Sequence, residues 1–253
     1  MLEAYLREQR RDKKILLMTH IVIGYPSLEA SFEMVEAMVN AGVELMELQI
    51  PFSEPIADGP VILKANQAAL ARGVTVQQCL DFAAKAASAF EIPFLLMTYY
   101  NILFKYGVEQ FVQAMAQRKL RGAIVPDLPY EEGHAYLQAM KEQALDPIFI
   151  YAPTTNDARM AQINAHASGF VYCVARKGVT GQATAFSDQL EQYLGRCRRA
   201  TRLPLALGFG VQDKADIDFL TGKVDIAVIG TQTLRIVEAH GTEAVGQFIA
   251  QLR

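Results

Sequence analysis

The chain has 253 residues, 51% of them hydrophobic and 20% charged, with a formal net charge of −3. That balance excludes a disordered polyelectrolyte and offers no basic surface for nucleic acid or an anionic membrane. No run reaches the roughly 18 apolar residues of a membrane-crossing helix, and the N-terminal "MLEAYLREQRRDKK" lacks the apolar core of a signal peptide.

That N-terminal segment reads as a polar, amphipathic helix. The first strand candidate follows at 15–23, "ILLMTHIVI", and the second at 43–50, "VELMELQI". Further short apolar runs occur at 93–100, 122–127, 147–152, 169–175, 204–210 and 225–230. Each is bounded by Gly, Pro or Asp and is nearly continuously apolar, as strands of a parallel sheet covered on both faces are. Helical patterns separate them. Between the first two strands, Phe32, Val35, Met38 and Val39 form one stripe, with Ser27 as N-cap and Gly42 just past the end. "TVQQCLDFAAKAASAF" opens with a capping box, Thr75 to Gln78, and "GVEQFVQAMAQRK" aligns Val108, Phe111, Val112 and Met115. Four further patterns, up to "VQDKADIDFL", separate the later strands, and "EAVGQFIAQLR" ends the chain. Eight such units at this length predict a single domain over 1–253, an α/β fold closed as a (β/α)8 barrel. An open doubly wound sheet is disfavoured because no G-x-G-x-x-G turn follows the first strand. "TQTLRIVEAH" at 231–240 is an extra short helix after the eighth strand, a place from which such barrels aim a helix N-terminus at phosphate.

In this fold the strands' C-terminal ends carry the chemistry. Alternation puts Val43, Leu45, Glu47 and Gln49 on one face of the second strand, so Glu47 points into the barrel near its mouth. A carboxyl there suits general acid–base work, and it equally suits an ion pair with a neighbouring cation. Asp58 follows in a loop stiffened by Pro51, Pro55 and Pro60, where Asp58-Gly59 by itself reads first as a turn. Gly181, Gly210, Gly230 and Thr231 lie in consecutive late loops, a placement that predicts backbone N–H groups converging on one phosphate. His20 sits in the first strand near the mouth, as a core histidine or a substrate contact, whereas His134, His166 and His240 fall on helices. Tyr99, Asp127 and Tyr172 are also near strand ends. Cys79, Cys173 and Cys197 are odd in number, far apart and without metal-ligand spacing, which reads as reduced thiols of a cytoplasmic protein.

These motifs, taken in order, resemble the tryptophan synthase alpha subunit family over essentially the whole chain. The segments that carry the resemblance are "MELQIPFSEPIADGP", "LLMTYYNILFKYG", "IVPDLPYEE", "APTTNDARMAQINAHASGFVY", "GVTG" and "GFGV". The resemblance implies retro-aldol cleavage of indole-3-glycerol phosphate to indole and glyceraldehyde 3-phosphate, with no metal or organic cofactor. It assigns Glu47 as general acid/base and Asp58 to the indole N–H. Phosphate binding falls to Gly181, Gly210, Gly230 and Thr231, and the substrate pocket to His20, Tyr99, Asp127, Tyr172 and the loop residue Thr180. Pro51 and Glu54 match a loop that meets a beta subunit, implying an α2β2 assembly that hands indole onward.

Some positions depart from the family pattern. His20 stands where a phenylalanine is usual, Val22 for threonine, Tyr25 for aspartate, Gln49 for glycine and Glu54 for aspartate. They keep open a second reading, a phosphate-binding regulatory subunit that activates the beta subunit with little turnover of its own. A third, another phosphosugar lyase or isomerase, is disfavoured because no lysine lies at a predicted strand end.

Overall fold

A computed structural model describes residues 2–175, 188–208 and 210–253. Eight parallel strands pair in chain order and close on themselves. They are β1 Leu16–Val22, β2 Leu45–Gln49, β3 Phe94–Met97 and β4 Gly122–Ile124, then β5 Asp146–Tyr151, β6 Val171–Val174, β7 Leu205–Gly208 and β8 Ile226–Ile229. The closing pair β1–β8 sets Leu16 against Ile226 and Thr19 against Ile229.

Twelve helices are described: α1 Leu2–Asp12, α2 Leu28–Asn40, α3 Pro60–Ala71, α4 Val76–Ala89, α5 Tyr100–Tyr106 and α6 Val108–Gln117. The second half has α7 His134–Glu142, α8 Asp157–Asn164, α9 Asp188–Ala200, α10 Lys214–Leu220, α11 Thr231–His240 and α12 Glu243–Gln251. The Ser27 cap and the Thr75–Gln78 capping box form as the sequence predicts. Two helices were not anticipated. α3 starts with Pro60 at its first turn, a position that proline suits because the N–H it lacks would have no intrahelical partner. α5 is a seven-residue helix that starts at Tyr100, so β3 ends at Met97, short of the apolar run 93–100. Its first turn is fixed by a tertiary contact, the Tyr100 N–H donating to both Asp127 carboxylate oxygens at 2.9 and 3.1 Å.

Strand alternation sorts the core into two layers. Leu17, Ile21, Met46, Leu48 and Leu96 face outward under the helices. Leu16, Met18, Leu45, Leu95, Ile148, Phe170 and Ile226 fill the barrel interior. Leu2 and Leu6 of α1 belong to this inner layer, so α1 plugs the N-terminal end of the barrel. The inward column of β1 reads Leu16, Met18, His20, and that of β2 reads Leu45, Glu47, Gln49. The packed interior thus turns polar only at the C-terminal mouth. Among the described residues no helix is long and apolar enough to cross a membrane.

Candidate active site

A cavity of about 220 Å³ opens at that mouth. Its floor and sides are apolar, with Ile62, Met97, Ile124, Ile150, Val174 and Val228. Its polar groups are His20, Glu47, Asp58, Tyr172 and Thr231. Shape and polarity together suit a flat apolar ligand with a few hydrogen-bonding groups.

Register decides who meets whom. β1 and β2 pair with His20 opposite Glu47 and Val22 opposite Gln49. Two inward side chains at one level of adjacent parallel strands must touch, and His20 Nδ1 lies 2.8 Å from Glu47 Oε1. Both residues are buried, 3% and 4% exposed, while His20 Nε2 and Glu47 Oε2 have no protein partner. Burial pulls the His20 pKa down, but the charge and hydrogen bond of Glu47, with Asp58 and Gln49, outweigh it and raise it above its ordinary value.

Asp58 reaches the cavity on the loop between β2 and α3. Gln49 Nε2 donates to its Oδ2 at 2.6 Å, and Asn66 Nδ2 lies 3.5 Å from the same oxygen. The Asn66 amide ties the loop to α3: Oδ1 accepts from the Phe52 N–H at 2.8 Å, while Nδ2 donates to the Ile62 carbonyl at 2.9 Å. Tyr99 stacks on Phe52, ring centroids 5.0 Å apart, and its hydroxyl accepts from the Ala57 N–H at 3.1 Å. Burial raises the Asp58 pKa and the Glu47 charge adds to that; the Gln49 hydrogen bond, His20 and Tyr99 oppose it, and the net shift is upward.

The opposite wall is glycine-rich. Gly208, Gly210, Gly230 and Thr231 line it, and α11 begins at Thr231 with its N-terminus at the cavity. A Cβ on Gly208 would come within 2.7 Å of the Tyr172 ring, so glycine there makes room for the tyrosine. Gly210 has φ +89°, a conformation natural to glycine. The dipole at the start of a ten-residue helix that has no side-chain cap favours an anion.

Of the residues singled out from the sequence, His20, Glu47, Asp58, Tyr172, Gly210, Gly230 and Thr231 meet on this one cavity. Thr180 and Gly181 lie outside the described residues. Tyr99 is fully buried behind the Asp58 loop, and Asp127 caps α5, so both stand behind the wall instead of on it. Of the loop residues matched to the partner interface, Pro51 is buried within the chain, whereas Glu54 and its neighbour Ile56 are exposed. Asn66 escaped the sequence reading because α3 itself did. Its signal was a lone polar amide in the apolar run "PVILKANQAALA". His134, His166 and His240 are exposed on the helical shell, as expected.

Residues 6–251 match the profile of the family described as tryptophan synthase alpha chain. The tryptophan synthase alpha chain of Desulforapulum autotrophicum is 64% identical over 252 residues, covering 100% of both chains, and that of Syntrophotalea carbinolica is 63% identical over 253 residues with the same coverage. Among solved structures, the tryptophan synthase of Mycobacterium tuberculosis superposes with a TM-score of 0.92 at 30% identity, covering 99% of this chain and 96% of that one. The alpha subunit from Legionella pneumophila superposes at 0.91 with 28% identity and the same coverage.

Proposed function

The chain belongs to the tryptophan synthase alpha chain family, and from that premise we propose that Glu47 and Asp58 carry its reaction. The chain is a carbon–carbon lyase that cleaves indole-3-glycerol phosphate to indole and glyceraldehyde 3-phosphate. Cleavage requires ring carbon C3 to take up a proton and the adjacent glycerol hydroxyl to lose one. The electron pair of the broken bond passes into the ring, and the hydroxyl oxygen becomes the carbonyl of the aldehyde. Glu47, with one carboxylate oxygen unpartnered at the cavity, serves both transfers. Asp58 accepts the indole N–H and stabilises the positive charge that forms on the ring when C3 is protonated.

The apolar walls take the indole, with Tyr172 among them. Gly210, Gly230, Thr231 and the start of α11 take the phosphate, and the family resemblance adds Gly181 to the phosphate-binding residues and Thr180 beside the catalytic aspartate. Tyr99 and Asp127 act at one remove, Tyr99 by fixing the Asp58 loop and Asp127 by fixing α5. The observation that carries this reading is the placement of two buried or half-buried carboxylates on one wall of a cavity whose other wall is a helix N-terminus and glycine turns.

The chain works with a beta subunit as α2β2 in the cytoplasm. Glu54 and Ile56, the latter 78% exposed, sit on the Asp58 loop where a partner reaches them. The test is indole release from indole-3-glycerol phosphate by the purified chain, alone and with a tryptophan synthase beta subunit. Slow release that rises sharply with the partner is expected. Glu47→Gln removes release by roughly 100-fold or more while glycerol 3-phosphate binding changes less than about twofold. Beta-subunit activation without any indole from the wild type would establish the regulatory reading instead.

A further inference from the structure

Resting on that reading, we propose that His20 is the positioning partner of Glu47: its Nδ1 holds one carboxylate oxygen, the other oxygen is presented to substrate, and the pair jointly holds the proton that the reaction moves. Four observations converge on it. The β1–β2 register sets the two side chains at one level. The contact is 2.8 Å and almost wholly buried. Each partner keeps one buried polar atom, His20 Nε2 and Glu47 Oε2, without a hydrogen bond, and both residues line the cavity. A buried polar atom left unpaired is costly, and such atoms at a cavity are the places where a ligand's polar groups pair. Finally, His20 is held from behind. The Thr233 hydroxyl, which donates to the Gly230 carbonyl at 2.6 Å, lies 3.3 Å from the His20 carbonyl, and a Cβ on Gly230 would meet His20 Cβ at van der Waals distance, 3.4 Å.

The chemistry explains why a proton-sharing pair is useful. The glycerol hydroxyl gives up one proton and ring carbon C3 gains one, so the pair ends each turnover with the protons it began with. C3 takes its proton from Glu47 and the hydroxyl later returns one, so between the two transfers the pair is one proton short, with Glu47 ionised and held at Oε1 by the His20 Nδ1–H. A lone carboxylate would have to reorient between two acceptor positions. One anchored to an imidazole keeps its free oxygen aimed at the substrate throughout, and a misplacement of about 1 Å in such groups costs roughly 100-fold in rate. The groups facing His20 are Glu47 and Gln49 from β2 and Asp58 from the following loop. Tyr172 from β6 adjoins both carboxylates. Among the described residues lining the cavity, His20 is the one side chain able to become a cation. Their combined effect favours its protonated form, against the opposing effect of burial.

The experiment compares pH profiles of indole release for wild type, His20→Phe and His20→Asn, with glycerol 3-phosphate binding measured on each. His20→Phe is expected to lower kcat by about 10–100-fold with KM changed less than threefold, and to abolish the basic limb of the kcat/KM profile. His20→Asn, which can donate to Glu47 but cannot titrate, is expected to recover part of kcat without restoring that limb. Wild-type kcat and an unchanged profile in both variants would overturn the proposal. Should either variant fold poorly, imidazole NMR titration decides the pairing. The His20 pKa is expected to fall in Glu47→Gln, which removes the carboxylate that raises it, and an unmoved pKa overturns the pair. A wild type that releases no indole refutes the proposed reaction itself, a result distinct from either.

Discussion

Gln49 and Asp58 meet because β2 ends one pleat above Glu47. Gln49 therefore points inward at the mouth, where the loop brings Asp58 down onto its amide at 2.6 Å. The amide stabilises the ionised carboxylate, which partly offsets the burial that raises the Asp58 pKa. For the indole N–H, the ionised form is the useful one, so activity falls as Asp58 is protonated. Gln49→Gly removes the stabilising donor and is expected to raise the Asp58 pKa further, moving the acidic limb of kcat/KM to higher pH. A limb that stays in place or moves to lower pH would show that Gln49 does not control the carboxyl. His20 and Gln49 each take a different one of the two carboxylates, so the two departures from the family pattern are not interchangeable. His20 holds Glu47, whereas Gln49 holds Asp58.

At the level of elements, the segment 50–59 is a loop braced from both ends. Proline limits its backbone freedom, Tyr99 just before α5 supports Phe52 and Ala57, and Asn66 of α3 satisfies the Phe52 N–H. α3 is thus more than a connector to α4. Asn66→Ala is expected to leave the part-buried Phe52 N–H unpaired, costing about 1–3 kcal/mol, and to loosen the loop over the cavity. Denaturant unfolding reads the first effect, and a several-fold rise in KM for indole-3-glycerol phosphate at nearly unchanged fold reads the second. If stability drops while KM holds, Asn66 is structural only. α11 works by orientation in the same sense. Its side chains pack on β1, with Leu234 and Val237 buried, and this aims its first turn at the glycine wall.

Across the whole molecule, the two ends of the barrel have separate duties. The N-terminal end is tied together by Glu44, a fully buried carboxylate that accepts from the Leu17 N–H at 2.6 Å, Lys13 Nζ at 2.7 Å and Arg253 at 2.5 Å. This joins β1, the exit from α1 and the C-terminus at the end away from the cavity. Glu44→Ala is expected to cost roughly 1–3 kcal/mol in unfolding free energy, because the Leu17 N–H loses its partner inside the core, while both cations hydrate at the surface. Indole release per folded molecule is expected to stay within twofold of wild type, and a larger loss would couple the two ends. By itself the sequence determined the alternation of eight short apolar strands with amphipathic helices, the caps at Ser27 and Thr75, the inward face of Glu47 and the extra helix at 231–240. Those follow from local periodicity and turn chemistry, which act over a few residues and leave a repeating pattern. Only the tertiary structure decided that His20 pairs with Glu47, that Gln49 and Asn66 hold Asp58, that Tyr99 and Asp127 stand behind the wall, and that α5 interrupts the chain after β3. Each of those depends on barrel register and on contacts from 8 to 42 residues apart. Such contacts exist only once the sheet has closed, so no local pattern in the chain announces them.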